Sequence, residues 1–189
     1  MRASHICGIL WLVFYTAWLL AAIGNKRTRD RAGGDRTLKY FIPVVLACYL
    51  MFGFDFNVPW LQFRIVSRSP TIGMAAVAVT LAGMLFAVWA RISLGRNWSS
   101  VPTIKEEHQL IRSGPYRLVR HPIYSGFLVA MFGTFLANGR VSGALSVILL
   151  WFAWTAKSRI EEEFMLRTFG SDYEDYRHTT GALFPRVLG

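Results

Sequence analysis

Charge is scarce in this chain, and acidic charge scarcest. Only 17% of the residues are Asp, Glu, Lys or Arg, against about 25% in an ordinary soluble domain. Eleven acidic residues stand against twenty-one basic ones, for a net charge of +10. Cysteine is almost missing: Cys7 and Cys48 lie far apart, each inside an apolar run. There is no CxxC and no Cys/His cluster. Neither a metal site nor a disulfide framework is supported, and two inert buried thiols are the expectation. Internal repeats and low-complexity stretches are also lacking.

What fills the chain is apolar. Hydrophobic residues make up 53% and aromatics 15%, with seven Trp and fourteen Phe, and mean hydropathy is +0.35. A length of 189 residues fits one domain. The positive charge does not demand nucleic acid, and we expect no nucleic-acid partner. In a sequence this apolar, Lys and Arg flank membrane spans and fix their orientation.

Five apolar runs follow in order. Ile6 to Gly24 is nineteen uncharged residues, close to the ~20 that cross the hydrocarbon core. It exceeds the ~7–15-residue apolar region of a signal peptide, so an uncleaved span is expected despite Arg2 and Ala21-Ala22. Residues 25–39 read as a hydrophilic loop with the Gly33-Gly34 pair. Tyr40 to Phe56 carries Pro43 near its start and Asp55 near its end, where an interfacial position avoids the ~2.5–3.5 kcal/mol cost of a central carboxylate. Residues 57–70, with Trp60, suit a membrane interface. Thr71 to Ala90 is a third run whose Gly73, Ala76, Ala78, Ala82 and Gly83 suit close helix contact. After the hydrophilic segment 91–122, Ile123 to Ala137 and Val141 to Ala156 are separated only by the turn signal Asn138-Gly139-Arg140, so they form an antiparallel helical hairpin. The second of them continues as helix until Gly170, and Ser171 to Gly189 reads as a polar tail. The expectation is an all-α polytopic membrane protein of about five transmembrane helices, one domain over residues 1–189.

Orientation follows by counting. Residues 25–39, 91–122 and the C-terminal region share one face and hold seventeen Lys/Arg, whereas the other face holds Arg2, Arg64, Arg68 and Arg140. By the positive-inside rule the N-terminus is outside and the C-terminus cytoplasmic. The two non-trivial polar segments therefore meet at the cytoplasmic face.

In the first of these, Gly114-Pro115 marks a turn, and Pro122 opens the fourth helix while biasing His121 away from α backbone. Arg120 and His121 then sit beside a helix N-terminus, which attracts anions. Tyr124 and Gly126 lie in the first turn, where Gly permits close backbone approach. The arrangement suits a ligand with a carboxylate and a flat ring; it also suits an interfacial loop touching lipid phosphates. In the second segment, Glu161-Glu162-Glu163 follow Lys157 and Arg159. Lys157 with Glu161, and Arg159 with Glu163, are helix-surface pairs worth only ~0.2–0.5 kcal/mol each. An acidic cluster on the strongly basic face, folded back toward His121 and Tyr124 by the hairpin, points to more: a carboxylate that holds a cationic ligand group.

The stretch Gly114-Pro-Tyr-Arg-Leu-Val-Arg-His-Pro-Ile-Tyr-Ser-Gly126, followed after one hairpin by Glu161-Glu162, resembles the isoprenylcysteine carboxyl methyltransferase family, which is related to membrane phospholipid methyltransferases. The shared pattern is RHPxYxG with a downstream EE. Leu94-Gly-Arg-Asn-Trp-Ser99 and Phe169-Gly-Ser-Asp-Tyr-Glu-Asp-Tyr176 are similar to it as well, so the likeness covers roughly residues 91–186. The first three spans, residues 1–90, match only in hydrophobicity. The resemblance implies an integral membrane methyltransferase that uses S-adenosyl-L-methionine, with residues 91–189 as its catalytic half. The cofactor contacts it implies are His108, Gln109, Leu110, Ile111, Tyr116, Arg120, His121, Pro122, Ile123, Tyr124, Gly126, Glu161 and Glu162, the triple Glu leaving the register open. A cation shortly before the Glu pair would hold the substrate carboxylate; Lys157 and Arg159 both qualify. No metal is implied.

Chemistry and resemblance agree. S-adenosylmethionine has an adenine for apolar contact, a carboxylate for cations and a helix terminus, and an ammonium for a Glu. A carboxylate acceptor is ionised at neutral pH and needs no general base, so the protein's task is alignment and exclusion of water. The simplest acceptor is the α-carboxylate of a prenylated cysteine, its chain entering from the bilayer. Three alternatives stay open: a phospholipid amine acceptor, a non-catalytic lipid- or partner-binding protein, and a nicotinamide-dependent enzyme like the sterol reductases that are similar in their C-terminal region.

Overall fold

The computed structural model describes residues 2–21, 28–31, 34–53, 58–95, 103–105 and 110–186. Seven helices carry these residues: α1 (Ala3–Ala21), α2 (Gly34–Phe52), α3 (Pro59–Gln62), α4 (Pro70–Leu94), α5 (Pro122–Asn138), α6 (Val141–Phe169) and α7 (Ser171–Thr179). α1, α4 and α6 are long and apolar enough to cross a membrane; α5 is apolar but shorter, at 17 residues.

The helical fold expected from the sequence is observed, with polar segments more structured than expected and one small addition: β1 (Thr28–Arg31) pairs antiparallel with β2 (Thr103–Lys105). Segment 25–39 is therefore not loop throughout, and α2 already begins at Gly34, ahead of the apolar run. The polar tail is also structured, forming α7 and a return strand of chain behind it. Asp55 lies outside the described residues.

α5 is the central helix. It is apolar on every side, as a helix set between other helices and lipid is, and it buries ten residues from Pro122 to Thr134 while leaving Val129 and Phe132 exposed. Its tightest neighbour is α4, whose buried residues Ala76, Thr80, Gly83, Ala87 and Ala90 recur at helical spacing. A Cβ added at Gly126 would stand 2.6 Å from Gly83 O and 2.7 Å from Ala87 N, so the two backbones meet where neither carries a side chain. Ala78 and Ala82, which the sequence grouped with this stripe, face outward instead. Trp11 of α1 donates from Nε1 to Thr134 Oγ1 at 2.8 Å, fixing α1 on α5.

The hairpin turns at Gly139, whose φ of +66° lies in the left-handed region that suits glycine. α6 then runs unbroken to Gly170, again at positive φ. The outer surfaces of the long helices are apolar: Leu12, Leu19, Met74, Leu85 and Phe152 are all exposed. Such a surface is suited to lipid rather than water.

Candidate functional site

Pro122 fixes the start of α5 and puts His121 at its N-cap. Three residues on, Tyr124 falls on the same helical face as His121, and their rings stack with centroids 5.6 Å apart. The hairpin returns α6 antiparallel, bringing Glu161 and Glu162 level with them. His121 is wedged between the two carboxylates: Nδ1 lies 3.4 Å from Glu161 Oε2 and Nε2 lies 3.1 Å from Glu162 Oε1. With a carboxylate at each ring nitrogen, the doubly protonated imidazolium is the form that donates to both. Burial alone would push the His121 pKa down, but the Glu161 and Glu162 hydrogen bonds outweigh it and hold it above its ordinary value.

Each carboxylate has its own partners. Glu162 Oε1 also accepts from Arg120, from Nε at 3.0 Å and Nη2 at 2.7 Å, while Glu161 Oε1 accepts from the Tyr124 hydroxyl. Arg120 Nη1 donates to the carbonyls of Arg177 and Thr180. Glu162 is thus tied into the protein, whereas Glu161 is the more open of the two at 24% side-chain exposure against 14%. Glu163 points away and pairs with Arg36 of α2 at the surface. The geometry accordingly sets Glu161 and Glu162 apart from Glu163, in the register the sequence favoured but left open.

Lys157, one turn before Glu161, is buried with its Nζ over the rings of Tyr40, Tyr124 and Trp154 at 5.1, 5.2 and 5.3 Å. Tyr124 and Trp154 stack at 4.7 Å. A desolvated ammonium over aromatic faces is held by their quadrupoles. Arg159 lies on the exposed face of α6, and the expected Arg159–Glu163 pair gives way to the Arg36 contact.

The chain behind α7 closes the site from below. Arg120 N and His121 N donate to Gly181 O and Ala182 O at 2.8 and 3.0 Å, and Ser125 Oγ donates to Leu183 O at 2.6 Å. α7 itself is held by Tyr176, whose hydroxyl donates to Tyr116 O at 2.5 Å, and by fully buried Tyr173. Burial pushes the Tyr176 hydroxyl up to about 12 and that of Tyr116 higher still, so both are neutral, structural phenols near pH 7.

Of the residues singled out in the sequence, the fold unites Tyr116, Arg120, His121, Tyr124, Lys157, Glu161 and Glu162. Pro122 and Ile123 are buried in the helix packing, and Ile111 packs against the same core. Leu110 is partly buried. Gly126 is there for α4, not for open space beside a ligand. His108 and Gln109 lie outside the described residues. Sequence reasoning missed Tyr40 and Trp154, whose aromatic character inside apolar runs gave no sign of a lysine partner, and the Gly181–Leu183 return, which acts through backbone carbonyls.

A helical protein with membrane-length spans, whose terminal hairpin gathers a paired carboxylate, a histidine and a buried lysine at one end, is the class these features define. Residues 71–172 match the phospholipid methyltransferase (PEMT) family, and the chain, matched over more than half its length, belongs to it. The match begins within α4, earlier than residue 91. Among similar proteins is a probable protein-S-isoprenylcysteine O-methyltransferase of Oryza sativa subsp. indica, 33% identical over 120 residues, 61% of this chain and 62% of that protein. The protein-S-isoprenylcysteine O-methyltransferase of Schizosaccharomyces pombe is 29% identical over 60% of this chain and 49% of its own. That of Rattus norvegicus is 24% identical over 98% of this chain and 65% of its own. That last alignment takes in residues 1–90 as well. The chain spans about half to two-thirds of the length of these relatives.

Proposed function

We propose that this protein is a membrane methyltransferase that uses S-adenosylmethionine and methylates the α-carboxylate of a prenylated cysteine. The observation that carries the reading is the pairing of Glu161 and Glu162 around His121, with Lys157 one helical turn away among three aromatic rings. The names of the relatives support the acceptor.

The residues suit the charge pattern of S-adenosylmethionine. Glu161, the more accessible carboxylate, is the partner for its ammonium and is held in place by the His121 imidazolium, while the N-terminus of α5 suits its carboxylate. Leu110, Ile111 and Tyr116 are the residues we assign to the adenine, with His108 and Gln109 as further contacts. When bound, the molecule supplies a methyl group carried on a sulfonium sulfur. Glu162 holds Arg120 and His121 in position. Lys157 is the better choice over Arg159 for the acceptor carboxylate, because its ammonium is already desolvated and fixed by Tyr40, Tyr124 and Trp154. An acceptor stripped of water beside these rings loses the hydration that weakens it as a nucleophile, and no side chain has to remove a proton. Five spans (α1, α2, α4, α5 and α6), with the N-terminus outside, put this end of the bundle at the cytoplasmic face. There a prenyl chain enters along the apolar helix surfaces.

The family description favours one second reading, an amine acceptor on a phospholipid. Incubation with labelled S-adenosylmethionine and a panel of farnesylcysteine, phosphatidylethanolamine and a small thiol separates the two. Base-labile label on farnesylcysteine is expected. Label on phosphatidylethanolamine alone establishes the second reading. If no acceptor is labelled and a nicotinamide dinucleotide, not S-adenosylmethionine, raises the melting temperature, both readings fall.

A further inference from the structure

The end of the bundle remote from Glu161 and His121 carries a feature that methyl transfer does not use. Arg2, Arg64, Arg68 and Arg140, the four Lys/Arg assigned to the outer face by the charge count, all line one cavity of about 1340 Å³, together with His5. The α5 residues of this cavity, Thr134, Leu136, Ala137 and Asn138, lie up to about 24 Å along the helix from Pro122, at 1.5 Å per residue. Among the described residues no Asp or Glu lines the cavity, and none forms an ion pair with any of the four arginines.

The arginines stand on a built framework. Ile65 N and Val66 N donate to Gly139 O at 2.8 and 3.1 Å, and Val141 N donates to Phe63 O at 3.0 Å. Arg64 and Arg140 thereby become bridge partners on adjacent strands of chain. Arg64 Nη1 donates to Asn138 O, while its Nε is buried without a hydrogen-bond partner. Burial, and then the like charges of Arg68 and Arg140, push the Arg64 pKa down. Like charges gathered at a face that ordinarily has few basic residues repel one another unless an anion joins them. Below the arginines the wall is apolar, and Leu12 and Met74 in it are 70% and 68% exposed.

We propose that this cavity binds an anionic glycerophospholipid, its phosphate against Arg64, Arg68 and Arg140 and its acyl chain along Leu12, Met74 and Val77. Charge complementarity sets the head group, and the continuity of the basic rim with an outward-facing apolar wall selects a lipid over a free anion. The site is independent of the methyl-transfer reading, since it shares no residue with the Glu161–His121 cluster.

The test is native mass spectrometry of the full chain in detergent, titrated with phosphatidylglycerol, phosphatidylcholine or inorganic phosphate. Phosphatidylglycerol should be retained with a preference of roughly tenfold or more over phosphatidylcholine, the scale that a few basic side chains give to an anionic membrane surface. R64Q/R68Q/R140Q should abolish that preference. Because Arg64 supports the turn at Gly139, R68Q alone is the second variant. Arg68 is exposed and serves no such turn, so its fold should be intact by circular dichroism while the preference drops several-fold. Equal retention of the two lipids, an unaltered preference in R68Q and in the triple variant, or inorganic phosphate competing as well as the lipid would each overturn the proposal.

Discussion

Replacing Glu162 by glutamine removes one negative charge and keeps the shape. Its Oε1 is the common acceptor for Arg120 Nε, Arg120 Nη2 and His121 Nε2, at 3.0, 2.7 and 3.1 Å. The pair is nearly enclosed, with 9% of the Arg120 side chain and 14% of the Glu162 side chain exposed. Taking one partner from a buried pair strands the other charge and costs about 3–5 kcal/mol. Because glutamine still accepts a hydrogen bond, the lower end, about 3 kcal/mol, is the fitting expectation. For a chain of this size that corresponds to a melting temperature roughly 6–12 °C lower. Glu163→Gln is the matched control. Its partner Arg36 is 46% exposed and Glu163 itself 50%, so that pair is worth about 0–1 kcal/mol. Thermal unfolding of both variants in the same detergent reads the difference. Equal shifts in E162Q and E163Q would refute the assignment of Glu162 to the buried cluster.

Three further outcomes follow from the same geometry. His121 has a pKa raised above its ordinary 6.5 by Glu161 and Glu162 against the opposing effect of burial. Its contribution to stability is therefore complete below that ordinary value and lost as pH rises through the elevated one. The melting temperature should fall on going alkaline of neutrality, and His121→Asn should flatten that part of the profile; an unaltered slope in the variant contradicts the pairing. Gly126→Ala pushes a methyl against Gly83 O and Ala87 N of α4. It should destabilise by about 1–3 kcal/mol, and a variant that melts like the parent would mean that Gly126 is not a helix-crossing residue. Lys157→Met should raise KM for a carboxylate acceptor tenfold or more, as expected for a lost charge-assisted hydrogen bond of about 1.5–3 kcal/mol, while Arg159→Gln leaves it unchanged. The reverse ranking by steady-state kinetics would transfer that role to Arg159.

The long apolar runs were legible because hydrophobicity is a property of each residue, and four of the five became helices within a few positions of their expected ends. Pro122 and Gly139 also announced themselves, each fixing the backbone at its own position. The Glu161-Glu162 and Arg120-His121 partnership was legible only because a single short turn joins two long helices and leaves one way to fold back. The β1–β2 pair was not, since Thr28-Arg29-Asp30-Arg31 shows no apolar alternation and its partner lies over seventy residues away. Nor was the closure of the site by Gly181, Ala182 and Leu183, because backbone carbonyls accept hydrogen bonds whatever side chain they carry. Tyr40 and Trp154 sit inside apolar runs, where an aromatic ring gives no sign of a cationic partner such as Lys157. Gly126 shows how a correct inference about close approach still left the approaching group unnamed.

The central claim is that the start of α5 and the second half of α6 form one binding site. Isothermal calorimetry of S-adenosylmethionine binding tests it directly, comparing the parent with Glu161→Gln and His121→Ala, each checked for retained fold by circular dichroism. Saturable binding in the parent, weakened about tenfold or more in both variants as lost charge-assisted hydrogen bonds require, is the predicted result. Binding that is unchanged in both variants would contradict it.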